Sequence, residues 1–249
     1  MPLRPKACEG AQKSFWALAA LAAATVVAAI LPSTAQAQVS GTIAVQNDDR
    51  FRGRSVSEGE PVVIASVFYD HVSGVSAGGS TVVTSNGPDV GLLRASGHLS
   101  FAQKIGSDLS LDGGLVVQTY TDRYSNGRAQ TFAEVFGGVT YGQFALHASY
   151  SPSYLDHRLE TLYVEFDAVQ ELGSGFRANA HVGVITRLAG KGSFGGEDTR
   201  YDAQIGVTKD FDRLSLYLNA STAGSGRGTY FSGPWQGRDA AIVGISRSF

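Results

Sequence analysis

Cysteine is almost absent from this 249-residue chain: Cys8 is the only one, and it precedes an apolar run near the N-terminus. Disulfides and cysteine metal sites are therefore excluded from everything that follows that run. Basic excess is missing too, since the formal net charge is −2. Nucleic acid needs a concentrated basic surface, so it is not an expected partner. No helical periodicity survives beyond residue 37, and no linker, charge block or second domain interrupts the chain. His71, His98, His147 and His181 lie in separate segments without H-x-x-x-H spacing, so no metal or other cofactor is expected. Glycine-rich stretches at Gly195-Gly196 and Gly224-Ser225-Gly226-Arg227-Gly228 lack the strand–helix setting that phosphate binding requires, and read as loops.

The N-terminus carries the long apolar run. Arg4, Lys6 and Lys13 precede an uncharged stretch from Phe15 to Leu31, followed by Pro32 and Ala35-Gln36-Ala37. A basic segment, an apolar segment and an A-x-A site together predict a secretory signal cleaved after residue 37. The alternative is an uncleaved anchor, because the run is just long enough to span a bilayer. Cleavage would remove three basic and one acidic side chain, taking the net charge from −2 to −4. Of the remaining cations only Lys104, Lys191 and Lys209 are lysine. The arginine bias suits carboxylate or phosphate partners such as lipopolysaccharide, though GC-rich codon usage would also produce it.

Strand-like alternation fills residues 38–249. Twelve segments are predicted, at about 39–48, 60–71, 75–84, 90–104, 109–120, 130–141, 143–151, 158–171, 175–186, 200–210, 213–222 and 238–249. In the fourth, Gly91, Leu93, Ala95, Gly97, Leu99 and Phe101 oppose Arg94, Ser96, His98 and Ser100. In the eighth, Leu162, Val164 and Phe166 oppose Tyr163, Glu165 and Asp167. A soluble β-sandwich would alternate in the same way, so alternation by itself does not say which face meets solvent.

The connections discriminate better. Tight turns at Ser73-Gly74, Gly106-Ser107, Gly142, Gly173-Ser174 and Asp212 alternate with mostly longer loops, notably 49–59, 121–129, 187–199 and 223–237. Alternating short turns and long loops, with an even strand count, is the arrangement of bacterial outer-membrane barrels. Phe101, Tyr141, Phe144, Phe176, Phe211 and Phe249 cluster near the short turns, where an interfacial aromatic girdle would lie. Tyr150, Tyr154, Tyr201, Tyr230 and Trp235 lie near the opposite end. The last segment, ending in Phe249 with Ile245, Val243 and Ala241 on the same face, looks like the signal read by the barrel assembly machinery. Arg247 interrupts that apolar stripe. The expectation is an all-β transmembrane up-and-down barrel of a Gram-negative outer membrane, its short turns in the periplasm.

One stretch carries a family resemblance. Asn47-Asp48-Asp49-Arg50-Phe51-Arg52-Gly53-Arg54-Ser55 is followed by Tyr69-Asp70-His71 and Ser73-Gly74-Val75-Ser76-Ala77-Gly78. This resembles the TorF-type porins of proteobacteria, which run N-D-Y-x-F-R-G-x-S, then Y-D-H and a hairpin of the S-G-F-Y-A-G type. The match covers about residues 45–80, with Asp49, Arg54 and Val75-Ser76 departing from the pattern. The resemblance implies an outer-membrane pore.

If the first strand continues through its loop, Arg50, Arg52 and Arg54 form a row on the lumen face, their side chains about 6.5–7 Å apart. Arg94 and Arg177 share that face on their own segments, and Glu165, Asp167 and Asp202 oppose them, with Asp112 and Glu134. Opposed charge rows tune which ions pass a pore. A diffusion channel for small hydrophilic solutes, anionic or zwitterionic, follows. Alternatively the arginines sit on an exposed loop or pair with the carboxylates and fill the lumen. A closed structural or adhesive barrel is the runner-up. A lipid hydrolase is the third reading, because His98-x-Ser100 and His147-x-Ser149 are H-x-S pairs of the kind outer-membrane phospholipases use. Both pairs fall on the lumen side, whereas such enzymes present theirs to lipid.

Overall fold

Side chains alternate across a strand, so a period of two places one apolar and one polar row on each segment. The computed structural model describes residues 37–86, 89–123, 129–155, 159–191, 197–224 and 239–249. It has strands β1 (Ala37–Gln46), β2 (Arg50–Phe51), β3 (Arg54–Ser55), β4 (Val62–His71), β5 (Val75–Asn86), β6 (Asp89–Lys104) and β7 (Leu109–Tyr120). They continue with β8 (Gln130–Tyr141), β9 (Phe144–Ser151), β10 (Leu159–Gly173), β11 (Phe176–Gly190), β12 (Thr199–Phe211), β13 (Leu214–Ala223) and β14 (Ala240–Ser248). Twelve of these form a closed antiparallel barrel in sequence order, with β1 pairing both β4 and β14, while β2 and β3 make a separate small hairpin. Residues 1–36 of the expected signal segment, Tyr230, Trp235 and the glycines at 195–196 and 225–228 lie outside the described residues.

The apolar rows face outward. Leu99, Val135, Ile205 and Val243 are each more than half exposed. A sandwich would bury these residues, and here they form the outer surface. Phe101, Tyr141, Phe144, Phe176, Phe211 and Phe249 are all exposed near the short-turn end, and Tyr150 and Tyr201 are exposed near the other. Tyr154, expected beside them, is instead wholly buried inside the barrel. Leu93 also leaves the outer stripe. A bulge in the β5–β6 pairing, between Val82 and Val83, shifts the local register and turns Leu93 into the interior.

The seam is short. β1 and β14 pair from Thr42↔Ser248 to Gln46↔Gly244, and Gly41 and Phe249 exchange two backbone hydrogen bonds of 3.0 Å. The Phe249 ring lies over Gly41, in space that a Cβ at that position would occupy. Gly41→Val is therefore expected to unseat the ring and lower the temperature at which the folded barrel loses its compact gel mobility. An unchanged melting temperature would show that the seam does not need this contact.

Candidate functional site

The segment between β1 and β4 does not extend outward; it folds into the barrel. β2 and β3 are joined by Arg52-Gly53, both at positive φ (49° and 72°), a two-residue hairpin turn of the X-Gly kind. At Gly53 a side chain would strike Asp202 of β12 and the Thr222 carbonyl of β13, so only glycine brings the tip this close to the wall. Upstream, Asp48 accepts hydrogen bonds from Ser55 Oγ (2.5 Å) and Ser57 Oγ (3.1 Å), which bind the segment to itself.

The hairpin holds walls on several sides. Phe51 packs among Tyr120, Phe132 and Tyr154, with ring centroids 6.0–6.3 Å away. Val56, Val62, Val82 and Leu93 continue this core inside the long-loop half of the barrel. Arg52 donates twice to Glu134, at 2.8 and 2.9 Å, and its guanidinium sits 4.0 Å from the Tyr163 ring centroid. Arg54 is buried and donates to the Gly224 carbonyl at 2.9 Å. Asp49 accepts from Arg94 of β6 at 3.1 and 3.3 Å. Burial pushes the Asp49 carboxyl above its ordinary range, against the opposing pull of the Arg94 guanidinium.

This placement differs from an arginine row continuing β1. That strand ends at Gln46, and Arg50, Arg52 and Arg54 sit on the infolded hairpin, with Arg50 Nε 3.6 Å from Asp48. Their charges meet carboxylates and a carbonyl, the lumen-filling alternative. Arg177 stands apart, at the short-turn end of β11, bonded to Asp210 at 2.7 and 3.0 Å. The signal for the infolding was present in Phe51-Arg52-Gly53-Arg54, where an X-Gly pair is flanked by residues able to pair as strands. What made it hard to see is that the hairpin is only two residues a side.

Below the hairpin lies a polar cavity of about 510 Å³, lined by Arg50, Arg52, Glu165, Asp167, His181 and Asp202 among others. Glu165, Asp167 and Asp202 are thus brought together, as the alternation predicted for strands sharing one face. His181 lies between two of them, with Nδ1 2.8 Å from Asp167 and Nε2 3.0 Å from Asp202. Tyr163 Oη is 3.0 Å from the same Nε2. The alternation of the eighth segment puts Tyr163 on the polar face, and nothing in the sequence assigns it or His181 to this cluster. Of the two H-x-S histidines, His147 contacts Asp112 at 3.2 Å and His98 lies 5.6 Å from the Phe68 ring.

The chain matches the family described as "Bacterial protein of unknown function (Gcw_chp)" over residues 32–249 and belongs to it. No curated protein matches it. Among solved structures, the NanC porin is similar at a TM-score of 0.58 and 9% identity, over 83% of this chain and 98% of that one. The KdgM porin, solved in complex with disordered oligogalacturonate, gives a TM-score of 0.51 at 8% identity, covering 85% and 99%. An outer-membrane channel from Pseudomonas putida F1 gives 0.51 at 9% identity, covering 88% and 97%. At these identities the likeness is one of fold: a closed twelve-strand barrel of the outer-membrane porin type.

Proposed function

We propose that this protein is an outer-membrane channel for passive diffusion of small hydrophilic solutes, with the infolded 47–61 segment as its constriction. The observation that carries the reading is an outer surface of exposed aliphatic side chains around a charged lumen cavity of about 510 Å³. Water or solute has reason to occupy such an interior, and lipid to cover such an exterior. The TorF-type resemblance in the first loop supports the same reading, and so does the porin fold. Lipid, lipopolysaccharide and the barrel assembly machinery reading Phe249 are the partners this location entails.

For selectivity, the cations Arg50 and Arg52 and the carboxylates Glu165, Asp167 and Asp202 line the same cavity. A small zwitterion can present one charge to each, which favours it over an equally large neutral solute. Arg94 and Arg177 add cationic groups farther up and down the wall. The infolded hairpin equally supports a closed structural or adhesive barrel, and one measurement separates the two. Single-channel recording of the purified, refolded protein should show discrete steps, and proteoliposomes should swell faster in a small amino acid than in a sugar of equal size. A folded barrel that gives no steps overturns the channel.

A further inference from the structure

The strand register builds an unbroken inward row across six strands. Asp112 of β7 opposes Gly138 of β8, which opposes His147 of β9, which opposes Glu165 of β10. Glu165 then opposes Gly183 of β11, and Gly183 opposes Asp202 of β12. The two glycines have a use here. A Cβ at Gly138 would run into the His147 ring, and one at Gly183 into the Tyr163 hydroxyl. The missing side chain at Gly138 lets His147 lean across β8 until its Nε2 is 3.2 Å from Asp112 Oδ2.

One ligand atom from each of His147, Glu165 and Asp167 lies within 4.8 Å of the others. Asp167 is two residues along β10 from Glu165, on the same inward face. All three are half-buried, so they are reachable from the lumen while partly shielded from bulk water. Like charges held this close repel, and more strongly where the effective dielectric is below that of water. An imidazole and two carboxylates form a donor set for a divalent transition-metal ion. The Asp112–His147 contact is the carboxylate–imidazole arrangement that orients a ligating ring and raises its basicity. On the other side, His181 holds Asp167 at 2.8 Å.

We propose that His147, Glu165 and Asp167 bind a divalent transition-metal ion in the barrel lumen, with Asp112 positioning the histidine. Three protein ligands leave coordination positions open toward the cavity, where water or a solute carboxylate can enter. The site rests on the barrel's register and not on conduction.

Isothermal titration of zinc chloride into the folded, detergent-solubilised barrel tests it, with compact gel mobility as the check on folding. Saturable binding of a single ion per chain is expected. Asp112→Asn should weaken it about 10–100-fold. His147→Ala and the near-isosteric Glu165→Gln should weaken it further, while His71→Ala, at a distant turn, should leave it unchanged. Absence of saturable binding, binding indifferent to Asp112→Asn and His147→Ala, or binding that His71→Ala removes would overturn the site. A barrel that conducts and does not bind zinc refutes the site alone. One that binds zinc and does not conduct refutes the channel alone.

Discussion

Replacing residues 47–61 with an Asn-Gly turn should raise single-channel conductance severalfold. Gln46 and Val62 pair directly across β1 and β4, so a two-residue turn can join them without disturbing the wall. What is lost is the inner hairpin, with the Phe51 ring, Val56 and three arginines that fill the long-loop half of the lumen. Each large apolar side chain taken out of that core forfeits about 1.5–3 kcal/mol of burial. The shortened barrel should therefore conduct more and also melt at a lower temperature. Conductance equal to that of the intact chain would show that the segment is not the constriction, whatever happens to the melting temperature. Gly53→Ala is a milder form of the same experiment: the positive φ and the contact with Asp202 both oppose a side chain, so the tip should leave the wall.

Arg52→Met and Glu134→Gln are each expected to release the hairpin. The two side chains are only 6% exposed, and Nη2 of Arg52 donates to both carboxylate oxygens of Glu134. Removing one partner of such a pair strands the other charge, at a cost of about 3–5 kcal/mol. The barrel can avoid that cost by undocking the hairpin. Taking the lower figure, the docked-to-undocked ratio should fall about a hundredfold. Trypsin reads this directly, because Arg50 and Arg54 are protected while the hairpin is docked. Cleavage between β1 and β4 should accelerate strongly in either single variant, and much less than additively in Arg52→Met combined with Glu134→Leu, where no charge is stranded. Arg52→Lys should behave like the loss of the pair, since an ammonium lacks the flat guanidinium face held 4.0 Å from the Tyr163 ring centroid while Arg52 Nη2 bridges both Glu134 oxygens. Equal cleavage rates across these variants would refute the docking role.

How legible all this was varies by element. The twelve barrel strands follow their alternation and turns to within a few residues, because a period of two and a glycine turn are local properties. Leu93 broke the pattern because a bulge shifts register between strands, which no single strand encodes. Tyr154 lies near the long-loop end as the outward Tyr150 and Tyr201 do, yet it packs on Phe132 within the lumen. Nearness to a strand end does not say on which side of the wall a ring falls.

By itself, the sequence determined the number of barrel strands, their order, the two faces of each away from the β6 bulge and the alternation of short and long connections. It also determined that Glu165, Asp167, His181 and Asp202 share the polar face, since parity along a strand fixes that without reference to a partner. Tertiary structure alone decided three things. Closure turned the apolar faces outward, because a closed barrel has an inside only for the polar row. The register set His147 against Glu165 and laid its ring over Gly138, a relation between separate segments. The first loop turned inward because Arg52 and Phe51 find Glu134, 82 residues along the chain, and Phe132 of the same strand, partners placed only once the wall has closed.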